Sequence, residues 1–354
     1  MVSDADLHFV VPGPLDQLTG GYVYDAHMVE GLGELGWRVG VHNLEGLFPD
    51  ADHVGRASMT KLLASLPDGA RVVIDGLAMG GLPEPIESHA DRLRIVSLVH
   101  HPLSLETGVS PDDAARLFET ERRALAFCAG VIVSSAYTAR GLDDFGVPPE
   151  RVRVVVPGTD PIRPADAPEP GAPPMLLCVA SVTPRKGHQV LVEALGRVSD
   201  LGWTCVCVGG LDRDPSHAEI VLRGVAEAGL GDRIDFVGER QGHDLDDLYR
   251  AASVFVLASY YEGYGMALAD ALAYGLPVVS TTGGAIPFTV PAEAGLLVEP
   301  GNAAAFADAL RKILEPGSTA RAELSAAARR YAAGLPTWHD ASRAFASAVE
   351  ELTT

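Results

Sequence analysis

Residues 254–279, VFVLASYYEGYGMALADALAYGLPVV, decide the fold of this chain. The run 254–257 has the β-branched and aromatic character of a strand buried on both faces. It leads into a loop holding Glu262, Gly263 and Gly265, and then into an alanine-rich helical pattern that stops at Gly275 before Pro277. This is the carboxyl edge of a strand feeding a helix, the place where open α/β sheets bind ligands and where free N–H groups and the helix dipole attract phosphate. Glu262 stands at the mouth of that helix and Asp270 on its first turns, and eight helical residues rise roughly 12 Å. Carboxylates so spaced can hold the two ends of a long ligand with phosphates between them. A nucleotide sugar has that layout.

Outward from this segment the same alternation recurs. Strand candidates lie at 7–11, 38–42, 72–75, 95–99, 131–133 and 152–156, and again at 175–180, 204–208, 234–237, 254–257, 278–280 and 295–298. Helical patterns fall at 21–35, 56–66, 112–127 and 137–145 in the first half, at 188–198 in the second, and at 303–314, 319–333 and 338–352 near the end. The rhythm predicts doubly wound parallel sheets of the α/β class. Residues 161–174, PIRPADAPEPGAPP, put six prolines into fourteen positions, which neither a helix nor a central strand tolerates. They are expected to link a domain over 1–160 to a second over 175–335, with 336–354 as a C-terminal helix after the break at Gly334 and Pro336.

A chain of 354 residues, 47% hydrophobic, can bury two cores. With 47 acidic against 27 basic residues, nucleic acid is excluded as a partner on charge, and an acidic membrane surface is disfavoured. No segment has the length of a membrane span, and the N-terminus lacks the features of a signal peptide. Cys128, Cys178, Cys205 and Cys207 show no metal-ligand or disulfide spacing, and Cys205 and Cys207 alternate in an apolar run as small buried hydrophobes would. A reduced, cytoplasmic location is expected. Any diphosphate bound to so acidic a protein would need locally placed cations.

Such cations stand at 180–187, ASVTPRKG, where Arg185 and Lys186 precede a helix. A solvated basic pair is the plainer explanation, but cations at a helix N-terminus are unfavourable unless an anion joins them, so a diphosphate site is expected. Asp270 lies among apolar and alanine neighbours, and a carboxylate that close to a core needs partners. Gly20 and Gly21 let backbone approach a ligand after the first strand, as glycine pairs in ordinary turns also do. His100 and His101 end the strand at 95–99, where one could touch a substrate hydroxyl, although a lone histidine is more often structural. Gly209 and Gly210, and Glu239 and Arg240, occupy further strand-end loops, while His243 and the acids Asp244 to Asp247 suit a helix cap.

In this order the motifs resemble the retaining nucleotide-sugar glycosyltransferases of GT-B fold, glycosyltransferase family 4. The resemblance is strongest over 175–314, in the KG turn at Lys186 and Gly187, the strand ending in Gly209, FVGERQ, the carboxylate helix, STTGGAIPFTV and GLLVEPGN. It is weaker upstream, in the Gly20–Gly21 pair, HHP, SSAYTARGL and VVVPGTD. It implies two Rossmann-like domains facing a cleft, with the last helix returning to the first domain. Glu262 then matches the acid beside the donor sugar, the backbone of Tyr264, Gly265 and Met266 the phosphate-binding turn, Lys186 the phosphate-binding lysine, and His101 the histidine that approaches the transferred sugar. Gly21, Gly209, Arg185 and Arg240 complete the expected donor contacts. Asp270 stands where the family usually has a glutamate on the ribose diol, and Ser181 where it usually has an arginine, whose charge Arg185 could replace.

The expected reaction moves a hexosyl group from a nucleoside diphosphate sugar to a small-molecule or glycan acceptor, with no metal and no cofactor. The alternatives are a catalytically degenerate protein that only binds the nucleotide sugar, and a nucleotide-sugar epimerase.

Overall fold

The computed structural model describes residues 5–160 and 173–354. The proline-rich segment 161–174 lies outside them except for its last two residues. Contacts divide the chain into two units, Met1–Gly158 with Pro336–Thr354, and Thr159–Leu335.

The first unit holds six parallel strands, β1 (Leu7–Pro12), β2 (Val39–Leu44), β3 (Arg71–Asp75), β4 (Arg94–Val99), β5 (Gly130–Val133) and β6 (Val152–Val154), in the order β2-β1-β3-β4-β5-β6. Every residue of β1 is buried, which is why its sequence shows no polar alternation. The strand order reverses between β1 and β3, and the crevice at their carboxyl ends is where a sheet of this kind binds ligands. The helix Trp338–Thr353 starts from a capping box made by Thr337 and Asp340 and packs on the helix Gly20–Glu34. Its Phe345 is fully buried, 6.1 Å from the ring of Phe9. Burying one such ring contributes about 1.5–3 kcal/mol, and Ala341, Ala348 and Val349 on the same helix are buried with it.

The second unit repeats the plan with β7 (Met175–Val179), β8 (Thr204–Val208), β9 (Ile234–Gly238), β10 (Val254–Leu257), β11 (Val278–Thr281) and β12 (Gly295–Val298), in the order β12-β11-β10-β7-β8-β9. The reversal here falls between β7 and β10. Leu176, Phe255, Leu272 and Phe306 are among the fully buried residues of its core. Trp203 is buried as well, its Nε1–H donating to the Val198 carbonyl at 2.8 Å and the Arg233 guanidinium lying 3.6 Å from its ring centre. All four cysteines are buried and free, as the spacing of the four and the apolar run around Cys205 and Cys207 led one to expect.

The twelve expected strands are present, and the helices differ in places. Four helices went unexpected: Gly76–Met79, Pro83–Glu87, Pro215–Glu227 and Ile286–Thr289. The longest of them is set by its start, where Asp214 accepts from the His217 N–H and Pro215 opens the first turn, while Ile220 and Leu222 on it remain exposed and blur its apolar stripe. Conversely, the helix expected over 137–145 is Ala136–Gly141, and the chain then closes through tight turns that still bury Leu142 and Phe145.

Candidate functional site

At the reversal point of the second sheet, the loops that leave β7 and β10 are tied together. The short turn Pro184–Lys186 ends at Gly187, whose φ is 67° and whose absent Cβ would fall 2.0 Å from the Ala258 carbonyl oxygen. Only glycine fits there, both in conformation and in space. Next to it the Tyr260 N–H donates to the Arg185 carbonyl at 2.8 Å. These two contacts carry the Arg185 and Lys186 side chains onto Glu262. Lys186 Nζ donates to Glu262 Oε1 at 2.6 Å, Ser259 Oγ donates to the same oxygen at 2.6 Å, and Arg185 Nη1 lies 3.6 Å from Oε2 while donating to the Tyr261 carbonyl at 3.0 Å.

Glu262 is only 5% exposed. Burial alone would raise its pKa, but Lys186 and Arg185, with the hydrogen bonds from Lys186 and Ser259, hold the carboxyl below the usual range. It is therefore ionised at neutral pH, and the cluster has two cations to one anion. Beside it the helix Met266–Ala273 begins, with no side-chain cap on its first amides. The loop before that helix is fixed from the side, since the Ala285 N–H donates to the Glu262 carbonyl at 2.8 Å and Thr289 Oγ1 donates to the Tyr264 carbonyl at 2.5 Å. Asp270 sits in the second turn. Burial, with help from Asp160 and Asp246, pushes its pKa up to about 7, as expected of an acid among apolar neighbours.

Gly209, with φ 147°, lies where a Cβ would meet the Ala180 carbonyl oxygen at 2.1 Å, so the end of β8 is held against the loop leaving β7. The structure thus joins Arg185, Lys186 and Glu262 by direct contact and sets Tyr264, Gly265, Met266 and Asp270 on the next loop and helix. It does not bring Arg240 into this cluster. That side chain is exposed and donates to its neighbour's carbonyl, that of Glu239.

In the first unit the reversal point carries a different constellation. His100 Nε2 is 3.0 Å from Asp25 Oδ1 and 3.4 Å from Asp75 Oδ2, and both carboxylates are buried. Gly21 belongs to it, since a Cβ there would meet His100 Cδ2 at 3.1 Å. His101 is placed apart from these acids, with Nε2 3.2 Å from Glu106 Oε2. A further buried acid, Glu121, accepts the Leu103 N–H at 3.0 Å, and burial pushes its pKa up to about 8. Sequence reasoning missed Asp25, Asp75 and Glu121. Asp75 had a signal, as the acid ending the apolar run VVID, and so had Asp25, four residues after the glycine pair on the buried side of its helix.

The profile of the family described as glycosyl transferases group 1 matches residues 173–316, and that of glycosyltransferase family 4 matches 78–163. These two segments belong to the families so described. It is 32% identical over 276 residues to a D-inositol 3-phosphate glycosyltransferase of Salinispora tropica, covering 67% of this chain and 55% of that protein, and 28% identical over 256 residues to one of Rhodococcus erythropolis, covering 68% and 57%. The chain thus spans between half and two thirds of the length of these curated relatives. Among solved structures it is similar to a sucrose-phosphate synthase of Thermosynechococcus elongatus, at TM-score 0.80 and 22% identity over 97% of this chain and 98% of the other. It is also similar to Anabaena HepE, solved with UDP and glucose, at TM-score 0.78 and 17% identity over 98% and 99%. The two parallel six-stranded sheets with their helices are those of the GT-B fold. Among the described residues no helix is long and apolar enough to cross a membrane.

Proposed function

We infer that the chain transfers a glycosyl group from a nucleoside diphosphate sugar to an acceptor hydroxyl, with retention at the anomeric carbon. One observation carries this reading: two cations converge on one buried carboxylate at the carboxyl edge of the second sheet, beside an uncapped helix N-terminus. The site is electropositive by local count in a protein whose formal charge is -20. A departing diphosphate develops negative charge as the glycosidic bond breaks. Lys186, Arg185 and the first amides of Met266–Ala273 would stabilise that charge without having to reorganise.

In this reading Asp270 receives the ribose hydroxyls and Glu262 faces the sugar end of the diphosphate while steering Lys186. No residue acts as a covalent nucleophile. A phosphate oxygen of the leaving group takes the acceptor proton as the new bond forms on the same face, and neither a metal nor a cofactor is required. Because a protein similar in fold was solved with UDP and glucose, and similar curated proteins are named for inositol 3-phosphate, UDP-glucose and polyol acceptors are the first substrates to test.

The test incubates the chain with UDP-, GDP- and ADP-sugars and polyol acceptors, follows release of nucleoside diphosphate, and assigns the product anomer by NMR. Acceptor-dependent release with retained configuration is expected. Binding without release would leave a nucleotide-sugar-binding protein, and no binding to any nucleotide would remove the reading.

A further inference from the structure

The buried group at the first unit's reversal point is more elaborate than a structural histidine needs. The imidazole of His100 meets two carboxylates through a single nitrogen, Nε2. Asp25 and Asp75 face the same nitrogen from two sides, and two carboxylates crowded onto one partner repel each other unless one of them carries a proton. Asp25 Oδ2 is buried and finds no donor, a costly state for an ionised oxygen. Protonating Asp25 lowers that cost. By covalent geometry Nδ1 points away from both acids, and the His100 side chain keeps 20% of its surface exposed. The missing Cβ of Gly21 leaves room against the ring edge, at the uncapped start of the helix Gly20–Glu34.

We propose that Asp25 and Asp75 are positioning residues that fix the ring of His100 in one orientation and keep it doubly protonated, so that Nδ1–H is a permanent donor to an oxygen of the bound substrate. The inference rests on the transferase reading for its substrate, and it moves the working histidine of this unit from His101 to His100. One feature separates it from a role in folding alone: the contacts to the two acids are both made by one nitrogen, Nε2, leaving the other for a ligand.

The ionisable groups facing His100 are Asp25 and Tyr24 from the helix Gly20–Glu34 and Asp75 from the end of β3; from the β5 end Ser134 Oγ donates to its carbonyl. Burial alone would lower the histidine pKa, but the two carboxylates override this and raise it to about 10. Burial and Asp75 push Asp25 up to about 7, while Asp75 is held below its usual value by His100 despite its own burial. His100 therefore stays charged as pH rises through neutrality, and ionisation of Asp25 near 7 strengthens its hold on the proton.

The test uses the full chain and two readouts. The first, nitrogen-15 NMR of the imidazoles between pH 5 and 10, needs no substrate. His100 should remain doubly protonated to at least pH 9, and in Asp75→Asn its titration should fall by two units or more. The second is the pH profile of kcat/KM for donor turnover. Asp75→Asn should acquire a descending limb between pH 7 and 8 that the unsubstituted protein lacks, and Asp25→Asn should leave that region flatter than Asp75→Asn because it mimics the protonated acid. His100→Gln, which keeps a donor without a charge, guards against variants that merely fail to fold and should lower kcat at least tenfold at every pH. A neutral His100 at pH 8, or an Asp75→Asn profile that only scales down without changing shape, would overturn the proposal. So would stoichiometric binding of Zn²⁺ or Mn²⁺ that displaces the imidazole proton. Absence of turnover with every donor would instead count against the transferase reading, and the NMR result would then decide the triad alone.

Discussion

Replacing Glu262 by glutamine should weaken the free protein and tighten its hold on a nucleoside diphosphate. Glu262 is 5% exposed and the side chains of Lys186 and Arg185 are each 19% exposed, so the substitution strands two largely buried cations. Removing one partner of a fully buried pair costs about 3–5 kcal/mol. Here the residual exposure and the second acceptor of Arg185, the Tyr261 carbonyl, reduce that to about 2–3 kcal/mol. In a unit of this size such a loss lowers the melting temperature by roughly 4–12 °C.

Binding responds in the opposite sense. A phosphate charge about 5 Å from the carboxylate would be repelled by about 3 kcal/mol at an effective dielectric of about 20. Allowing for relaxation, removing the carboxylate should improve diphosphate affinity by about 1–2 kcal/mol, roughly five- to thirtyfold. Transfer itself should slow, because the carboxylate no longer steers Lys186 or faces the sugar. Thermal denaturation with and without UDP, GDP or ADP, together with calorimetric titration of the same nucleotides, reads both effects. A destabilised variant with unchanged or weaker diphosphate binding would refute the reasoning, since it would place the diphosphate away from these cations. The native carboxyl is held below its ordinary pKa, so the stability it contributes is present at neutral pH and lost only as pH falls through its folded value. The destabilisation should accordingly shrink on acidification.

Three further outcomes are expected. Lys186→Ala should lower kcat by on the order of a hundredfold or more, the usual effect of deleting one preorganised donor, with a much smaller change in melting temperature because Ser259 and Arg185 still face Glu262; an unchanged rate would remove Lys186 from the chemistry. Asp270→Asn should raise the donor KM on the order of tenfold and yet stabilise the free protein. Because burial raises the folded pKa to about 7, this acid's favourable contribution is full below its unfolded pKa and lost as pH rises through 7, so the gain in melting temperature should be larger at pH 8 than at pH 5. Gly187→Ala forces a side chain into a left-handed backbone position 2.0 Å from a carbonyl oxygen and should cost at least about 1–2 kcal/mol in chemical denaturation, with donor turnover lost in parallel; full activity would show that the turn can open without disturbing Lys186.

The architecture was legible because parallel strands buried on both faces must be continuous apolar runs, as β1 and β10 are, and because glycine and proline mark where each strand hands over to its helix. The second unit's candidate site was legible for a related reason: Lys186, Glu262 and Asp270 lie on two short segments whose polar residues interrupt apolar patterns. What pattern could not supply was pairing. That Lys186 and Glu262, 76 residues apart, share one hydrogen bond follows from the strand order, which puts β7 beside β10. The same applies with more force to Asp25, Asp75 and His100, which come from a helix, the end of one strand and the loop after another, and carry no common motif. Arg240 is the opposite case, a cation in a strand-end loop whose sequence looked suitable and whose side chain turns back to Glu239.

A protein with 20 more formal negative than positive charges is an unpromising receptor for a diphosphate, and the resolution lies in range. Charges beyond about 8 Å are screened at physiological salt, so the local count decides. At the second sheet's edge one acid, Glu262, is kept ionised but is outnumbered by the cations that grip it, and the other, Asp270, is raised so far that much of it is neutral near pH 7. At the first sheet's edge Asp25 is raised in the same way while Asp75 is compensated by His100. In both places pairing and desolvation together keep buried acids from adding to the surrounding field, and both are set by side-chain placement. In the proposed transferase, acids that recognise sugar and ribose hydroxyls can therefore sit beside a phosphate site without repelling its ligand.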